Sequence, residues 1–137
     1  MDEKSGNTVS SLDEVRAILT PSLALRRKAT SRSFYDELDA EFGGFAGHTL
    51  ISQFTWSEPW GVWEMHPKGD EFVYLQSGAT DFLLRIEGVD QRHRLDQPGQ
   101  YVIVPKGVWH TAEPLTPTTA LFITPGEGTR NEREPVD

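Results

Sequence analysis

The chain has 137 residues, a formal charge of −8 at neutral pH and no cysteine. That length fits one domain with a modest core, and the missing cysteines exclude disulfides, thiolate zinc sites, iron–sulfur clusters and cysteine nucleophiles, leaving His, Asp, Glu and backbone oxygen to hold any metal. The negative charge repels phosphate backbones, and the single basic cluster, Arg26, Arg27, Lys28 and Arg32, is short and has no interleaved aromatics, so nucleic acid is excluded as a partner and the cluster reads as a solvated patch.

In chain order, "MDEKSGNTVS" has no apolar segment of signal type, and no apolar run later in the chain approaches the roughly 20 residues of a membrane helix. The expectation is a cytoplasmic, soluble protein without membrane contact. Residues 1–45 read as an arm with short helices. Ser11 and Glu14 fit a capping box ahead of "LDEVRAIL", whose Leu12, Val15 and Leu19 share a helical face until Thr20-Pro21 ends it. In "SFYDELDAEF", Phe34, Leu38 and Phe42 recur at helical spacing. From residue 46 to 125 short strands follow one another: "HTLISQFTW", "GVWEMH", "EFVYLQ", "TDFLLRIE", "HRL", "QYVIVP", "VWHTAE" and "TALFIT", separated by Gly, Pro and Asp turn signals. That spacing predicts an all-β sandwich or barrel. The polar residues 126–137 are expected to fray or lie along the surface.

Alternation along "VWEMH" puts Val62, Glu64 and His66 on one side and Trp63 and Met65 on the other. After the Pro67-Lys68-Gly69 turn, Glu71 can stand beside them. Two carboxylates next to one imidazole in a core are costly unless a cation lies between them, and a divalent metal is the simplest remedy. A further ligand is available from "GQYVIVPKGVWH", where the Pro105-Lys106-Gly107 turn delivers His110 at the start of a strand.

Those residues carry a family resemblance. Glu64-x-His66-x4-Glu71-x6-Gly78 is similar to the first motif of the cupin superfamily, and Gly99-x5-Pro105-x-Gly107-x2-His110 resembles its second. The resemblance covers about residues 46–125 and implies a single jelly-roll barrel, preceded here by the short helical or irregular arm. It also implies one divalent transition metal, Fe, Mn, Ni or Zn, held by His66, Glu71 and His110. Glu64 stands where the family has its first histidine, and Pro114 stands where it has an asparagine. Glu64 is thus a fourth ligand, a general base or a salt-bridge partner. "WEMHPKGDEFVYLQSG", "VPKGVWHTA" and "FITPGEGT" further resemble small bacterial cupins of uncharacterised function, so the resemblance supplies a fold and a site without a substrate.

With Glu64 bound, the metal sees two imidazoles and two carboxylates; without it, two histidines and one carboxylate leave positions open for substrate and dioxygen. Both arrangements suit a metal-dependent enzyme of the dioxygenase or isomerase type acting on a small oxygen-bearing molecule. The competing reading is a non-catalytic binding or sensor protein for a small acid or sugar. His48 and His93 fall outside both motifs and carry no expected role. Trp56, Phe82 and Phe122 are expected to point inward. Trp63, Phe72 and Tyr74 lie opposite the ligands, where a buried aromatic face would suit a homodimer.

Overall fold

The computed structural model describes residues 9–136. The first eight residues, on which the reading of the N-terminus partly rests, and residue 137 at the end of the polar tail lie outside them. Among the described residues eleven strands and one helix follow in the order β1 (Val15–Leu19), β2 (Leu25–Ala29), α1 (Phe34–Glu41), β3 (Thr49–Trp56), β4 (Trp63–Met65), β5 (Glu71–Ser77), β6 (Thr80–Ile86), β7 (Val89–Leu95), β8 (Tyr101–Val104), β9 (Trp109–Pro114), β10 (Thr118–Thr124) and β11 (Arg130–Glu132). They form two antiparallel sheets, β2-β1-β3-β10-β5-β8 and β11-β4-β9-β6-β7. The eight strands expected after residue 45 are all present, and the architecture is a jelly roll whose two sheets face each other without closing into one ladder.

The arm departs from the sequence expectation. The segment expected as a first helix is β1, which pairs with β2 on one side and β3 on the other. The Ser11 hydroxyl bonds the Asp13 carboxylate, so the capping box does not form, and only one turn closes, through Val15 N–H to the Ser11 carbonyl at 2.8 Å. Ladder pairing on both edges then overrides a helical pattern that local spacing alone supported. The basic cluster also acquires a structural role. Arg26, Arg27 and Lys28 lie in β2, and Lys28 Nζ sits 2.8 Å from Glu37 and 3.0 Å from Glu41 of α1. Helix α1 forms where expected and buries Phe34 and Leu38 against Ile18, Phe45 and Leu50. The tail does not simply fray, because β11 pairs with β4 in full register.

The main core lies between the sheets and gathers Val73, Leu75, Phe82, Leu84, Val102 and Phe122, with Trp56 and Trp60 packed against it. Trp63 and the aromatics of β5 do face away from the ligands, but on different sheets. Trp63 packs with Leu83 and Trp109 on the outside of the five-stranded sheet, under the guanidinium of Arg85 at 4.1 Å. Tyr74, 37% exposed, stands outside the six-stranded sheet beside the exposed Tyr101 and Ile103.

The chain changes sheets between β5 and β6, and Gly78 makes that corner. Its φ is +87°, and a Cβ there would stand 2.1 Å from the Pro117 carbonyl oxygen. Gly88 has a similar φ of +78° but faces open space in the β6–β7 hairpin turn. Gly78→Ala is therefore expected to cost about 3 kcal/mol or more, or to prevent folding, whereas Gly88→Ala costs about 1 kcal/mol. Denaturant unfolding of the two variants checks this; equal losses would mean that backbone conformation alone, not the corner contact, sets the cost.

Candidate metal centre

Strand β4 is only three residues long, yet it lies between β9 and β11 and so fixes both of its neighbours. Glu64 is directly opposite His110 across one ladder and Asn131 across the other. Trp63 and Met65 turn outward into the Trp109 cluster, which leaves Glu64 and His66 facing in, as alternation requires. The loop after His66 is tied to the turn before His110. Gly107 N–H donates to the His66 carbonyl at 2.9 Å, and Lys106 N–H donates to Asp70 Oδ1 at 2.7 Å. Glu71 opens β5 from the facing sheet. All four residues singled out in the sequence therefore meet at one point.

The separations are those of a chelating set. His110 Nε2 lies 3.1 Å from Glu71 Oε1, and His66 Nε2 lies 3.4 Å from Glu71 Oε2. Glu64 Oε1 is 3.8 Å from each imidazole Nε2. Donors about 2.1 Å from a common ion would stand about 3.0–3.4 Å from one another. His110, His66 and Glu71 are buried, whereas the Glu64 side chain is 33% exposed.

Hydrogen bonds on the far side of each ring fix which nitrogen carries the proton. The Thr129 hydroxyl donates to the Gly126 carbonyl at 2.9 Å, so toward His66 Nδ1, at 2.8 Å, it accepts. His110 Nδ1 faces the Val108 carbonyl at 3.2 Å, and a carbonyl only accepts. Both neutral rings thus carry N–H at Nδ1 and aim the lone pair of Nε2 inward. Glu71 Oε2 accepts from the Thr124 hydroxyl at 2.6 Å, while Oε1 has no donor. His66 Nε2, His110 Nε2 and Glu71 Oε1 are three buried atoms without hydrogen-bond partners, and all face one another. Lone pairs directed at a carboxylate repel unless a proton or a cation lies between them, and the donor set suits a first-row divalent ion.

The electrostatics agree. Burial pushes the Glu71 carboxyl up, but hydrogen bonds from His110 and His66, made when a proton occupies Nε2 in place of a metal, outweigh it and hold the group down at about 2. Burial lowers His110, and Glu71 and Glu64 reverse that and raise it. Glu64 is raised, by burial first and then by the charge of Glu71.

A cavity of about 570 Å³ opens onto Glu64, His66 and Glu71. Trp56 and Phe122, expected to point inward, do so, and together with Trp60 and Phe54 they form one wall of this cavity. Tyr35, Leu38 and Asp39 of α1 and Phe45 form another part of the lining, so the arm completes the site. Thr124, Thr129 and Asn131 went unrecognised in the sequence. Thr124 had a signal, being a polar residue on the inward side of β10, in register with Thr118, Ala120 and Phe122; Thr129 had none. His48 bonds the Ala46 carbonyl and packs against Phe42 and Phe45, away from the centre.

No family model matches the chain, and no curated protein matches it. Solved structures do. A cupin-2 domain protein from Shewanella frigidimarina is 25% identical, with a TM-score of 0.49, over 56% of this chain and 70% of that one. Oxalate decarboxylase from Bacillus subtilis, a structure described for its Mn(II) centres, is 19% identical with a TM-score of 0.50, over 61% of this chain and 23% of the decarboxylase. A cupin superfamily protein from Desulfitobacterium hafniense is 22% identical with a TM-score of 0.46. The similarity spans less than a quarter of the decarboxylase and is one of fold. The fold is the cupin jelly roll, and its His/Glu cluster could hold a metal. No helix among the described residues is long and apolar enough to cross a membrane.

Two pH dependences follow. In metal-free protein the depressed Glu71 contributes stability that is present above its ordinary 4.5 and is lost as the pH falls toward about 2. Metal uptake displaces a proton from His110, so affinity drops with falling pH, and because His110 is raised the onset lies above the ordinary 6.5. Below that onset affinity is expected to fall about tenfold per pH unit for each proton displaced. Metal titrations followed by calorimetry check this, and unchanged affinity between about pH 8 and about pH 5 would remove the histidines from the ligand set.

Proposed function

We propose that the chain is a metal-dependent enzyme acting on a small oxygen-bearing molecule. The observation that carries this reading is the convergence of three buried, partnerless donor atoms, on His66, Glu71 and His110, beside a cavity onto which Glu64 opens. His66, Glu71 and His110 would hold one divalent ion, Fe, Mn, Ni or Zn, with Glu64 as fourth ligand or as base. Such an ion, when bound, supplies Lewis acidity toward a substrate oxygen.

The residues of the chain do the rest. Thr129 and the Val108 carbonyl keep the imidazoles in the binding tautomer, and Thr124 holds the Glu71 carboxylate by its second oxygen. Glu64 differs from Glu71 in both respects that matter for proton transfer. Its side chain is 33% exposed where that of Glu71 is 3%, and its carboxyl is raised where that of Glu71 is depressed. A carboxyl on the cavity wall can reach a substrate proton, and a raised one holds that proton more firmly than an ordinary carboxyl. That contrast favours an isomerase, with Glu64 moving a proton at the carbon next to a substrate oxygen. Dioxygenation is the second reading, supported by the two-histidine, one-carboxylate face that remains when Glu64 withdraws.

The test is a panel of α-hydroxy ketones incubated with metal-loaded protein in heavy water and followed by NMR for deuterium uptake, with dissolved oxygen monitored alongside. Glu64→Gln keeps the size and removes the charge. The proton-transfer role predicts that this variant keeps its metal while exchange falls at least about a hundredfold. A ligand role predicts weakened metal retention, restored by Glu64→His with altered metal preference. Wild-type protein that exchanges no proton and consumes no oxygen would contradict the enzymatic reading and leave a binding protein.

A further inference from the structure

The ligand class of this cavity is legible in its walls, given the metal reading above. The volume of about 570 Å³ is that of an ordinary small-molecule site. Tyr35, Phe45, Phe54, Trp56, Trp60 and Phe122 line it. Trp60 joins the aromatic wall to the polar floor: its ring lies 5.6 Å from Trp56, 6.1 Å from Phe122 and 6.3 Å from His110. Its backbone is pinned beside β9 by a bond from its N–H to the Ala112 carbonyl.

The charges are one-sided. Among the described residues the charged side chains that line the cavity are Asp39, Glu64 and Glu71, and no Lys or Arg joins them. The cation standing behind the wall, Arg16, is occupied with aromatic faces, its guanidinium 4.4 Å from the Phe34 centroid and 4.8 Å from that of Phe54, and it donates to the Tyr35 hydroxyl at 3.4 Å. A divalent ion held by two carboxylates carries no net charge with them, so an incoming anion would meet Asp39 without a compensating cation. Sugars, for their part, need many fixed donors and acceptors, and the walls beyond the floor are mainly apolar.

We infer that the cavity binds an uncharged aromatic molecule bearing two adjacent oxygen substituents, hydroxyl or keto, with its ring against Trp60 and its oxygens at the Glu64–His66–Glu71 floor. The ring contributes by stacking and apolar burial, and the paired oxygens meet the cluster of Glu64, His66 and Glu71 at the floor.

Calorimetry on zinc-loaded protein tests this with three probes: catechol, its saturated counterpart cyclohexane-diol, and oxalate. Catechol should bind at least about tenfold more tightly than either of the others, and Trp60→Ala should weaken catechol about tenfold with zinc content unchanged. Asp39→Lys, which reverses the charge at one point of the cavity wall, should strengthen oxalate. Oxalate binding more tightly than catechol, equal affinity for catechol and cyclohexane-diol, or unchanged catechol affinity in Trp60→Ala would each overturn the inference. Elemental analysis of the same samples separates this from failure of the metal reading. Protein that holds no zinc fails that reading alone, and catechol must still exceed cyclohexane-diol on it, because the aromatic wall does not depend on the metal.

Discussion

The fully buried carboxylate of Glu71 faces the lone pairs of two imidazoles, and much of the surrounding structure is arranged around that confrontation. An unpaired buried carboxylate costs several kcal/mol, and burial alone would drive it to the neutral acid. With a proton on Nε2 the rings of His110 and His66 donate to it from the other sheet and hold it ionised down to about 2. Neither ring can relieve the contact in its neutral form, since Thr129 and the Val108 carbonyl have already taken the Nδ1 protons. A cation resolves the conflict, and the sheet geometry leaves room for one among donors spaced 3.1–3.8 Å apart.

The rest of the chain then serves to hold and to wall that centre. The five-stranded sheet contributes three of the four donors from its β4–β9 region, and the six-stranded sheet contributes Glu71 with its Thr124 support. The arm is part of the same construction. Strands β1 and β2 extend the six-stranded sheet, Lys28 ties α1 to them, and α1 brings Tyr35, Leu38 and Asp39 to the cavity. Gly126 lies so close to Phe45 that a Cβ there would stand 3.3 Å from the ring, so the loop that supports Thr129 also rests on the arm. Loosening the arm would therefore disturb the orientation of His66 as well as the cavity wall.

The strands after residue 45 and the facing of Glu64, His66, Glu71 and His110 were legible because period-two alternation is a local property of the chain and motif spacing fixes register. What was not legible came from partners distant in sequence. Val15–Leu19 has helical spacing, but it becomes a strand because β2 and β3 supply ladder partners on both sides. Arg26, Arg27 and Lys28 lack any apolar alternation, so β2 carried no strand signal of its own. Thr129 matters only because the tail folds back to pair with β4, a contact invisible until β11 is placed. Trp56, Phe82 and Phe122 face inward as alternation predicts, yet alternation could not tell which of them would face a packed core and which a cavity, nor that Trp63 and Tyr74 would lie on different sheets.

The central claim is that a divalent ion lies among His66, Glu71 and His110. Elemental analysis of protein purified gently from metal-supplemented cells tests it most directly. The account predicts close to one transition-metal ion per chain in the wild type and little in His110→Ala. Wild-type protein that folds and carries no metal under those conditions would contradict it, leaving a proton rather than a metal ion between the carboxylate and the imidazoles.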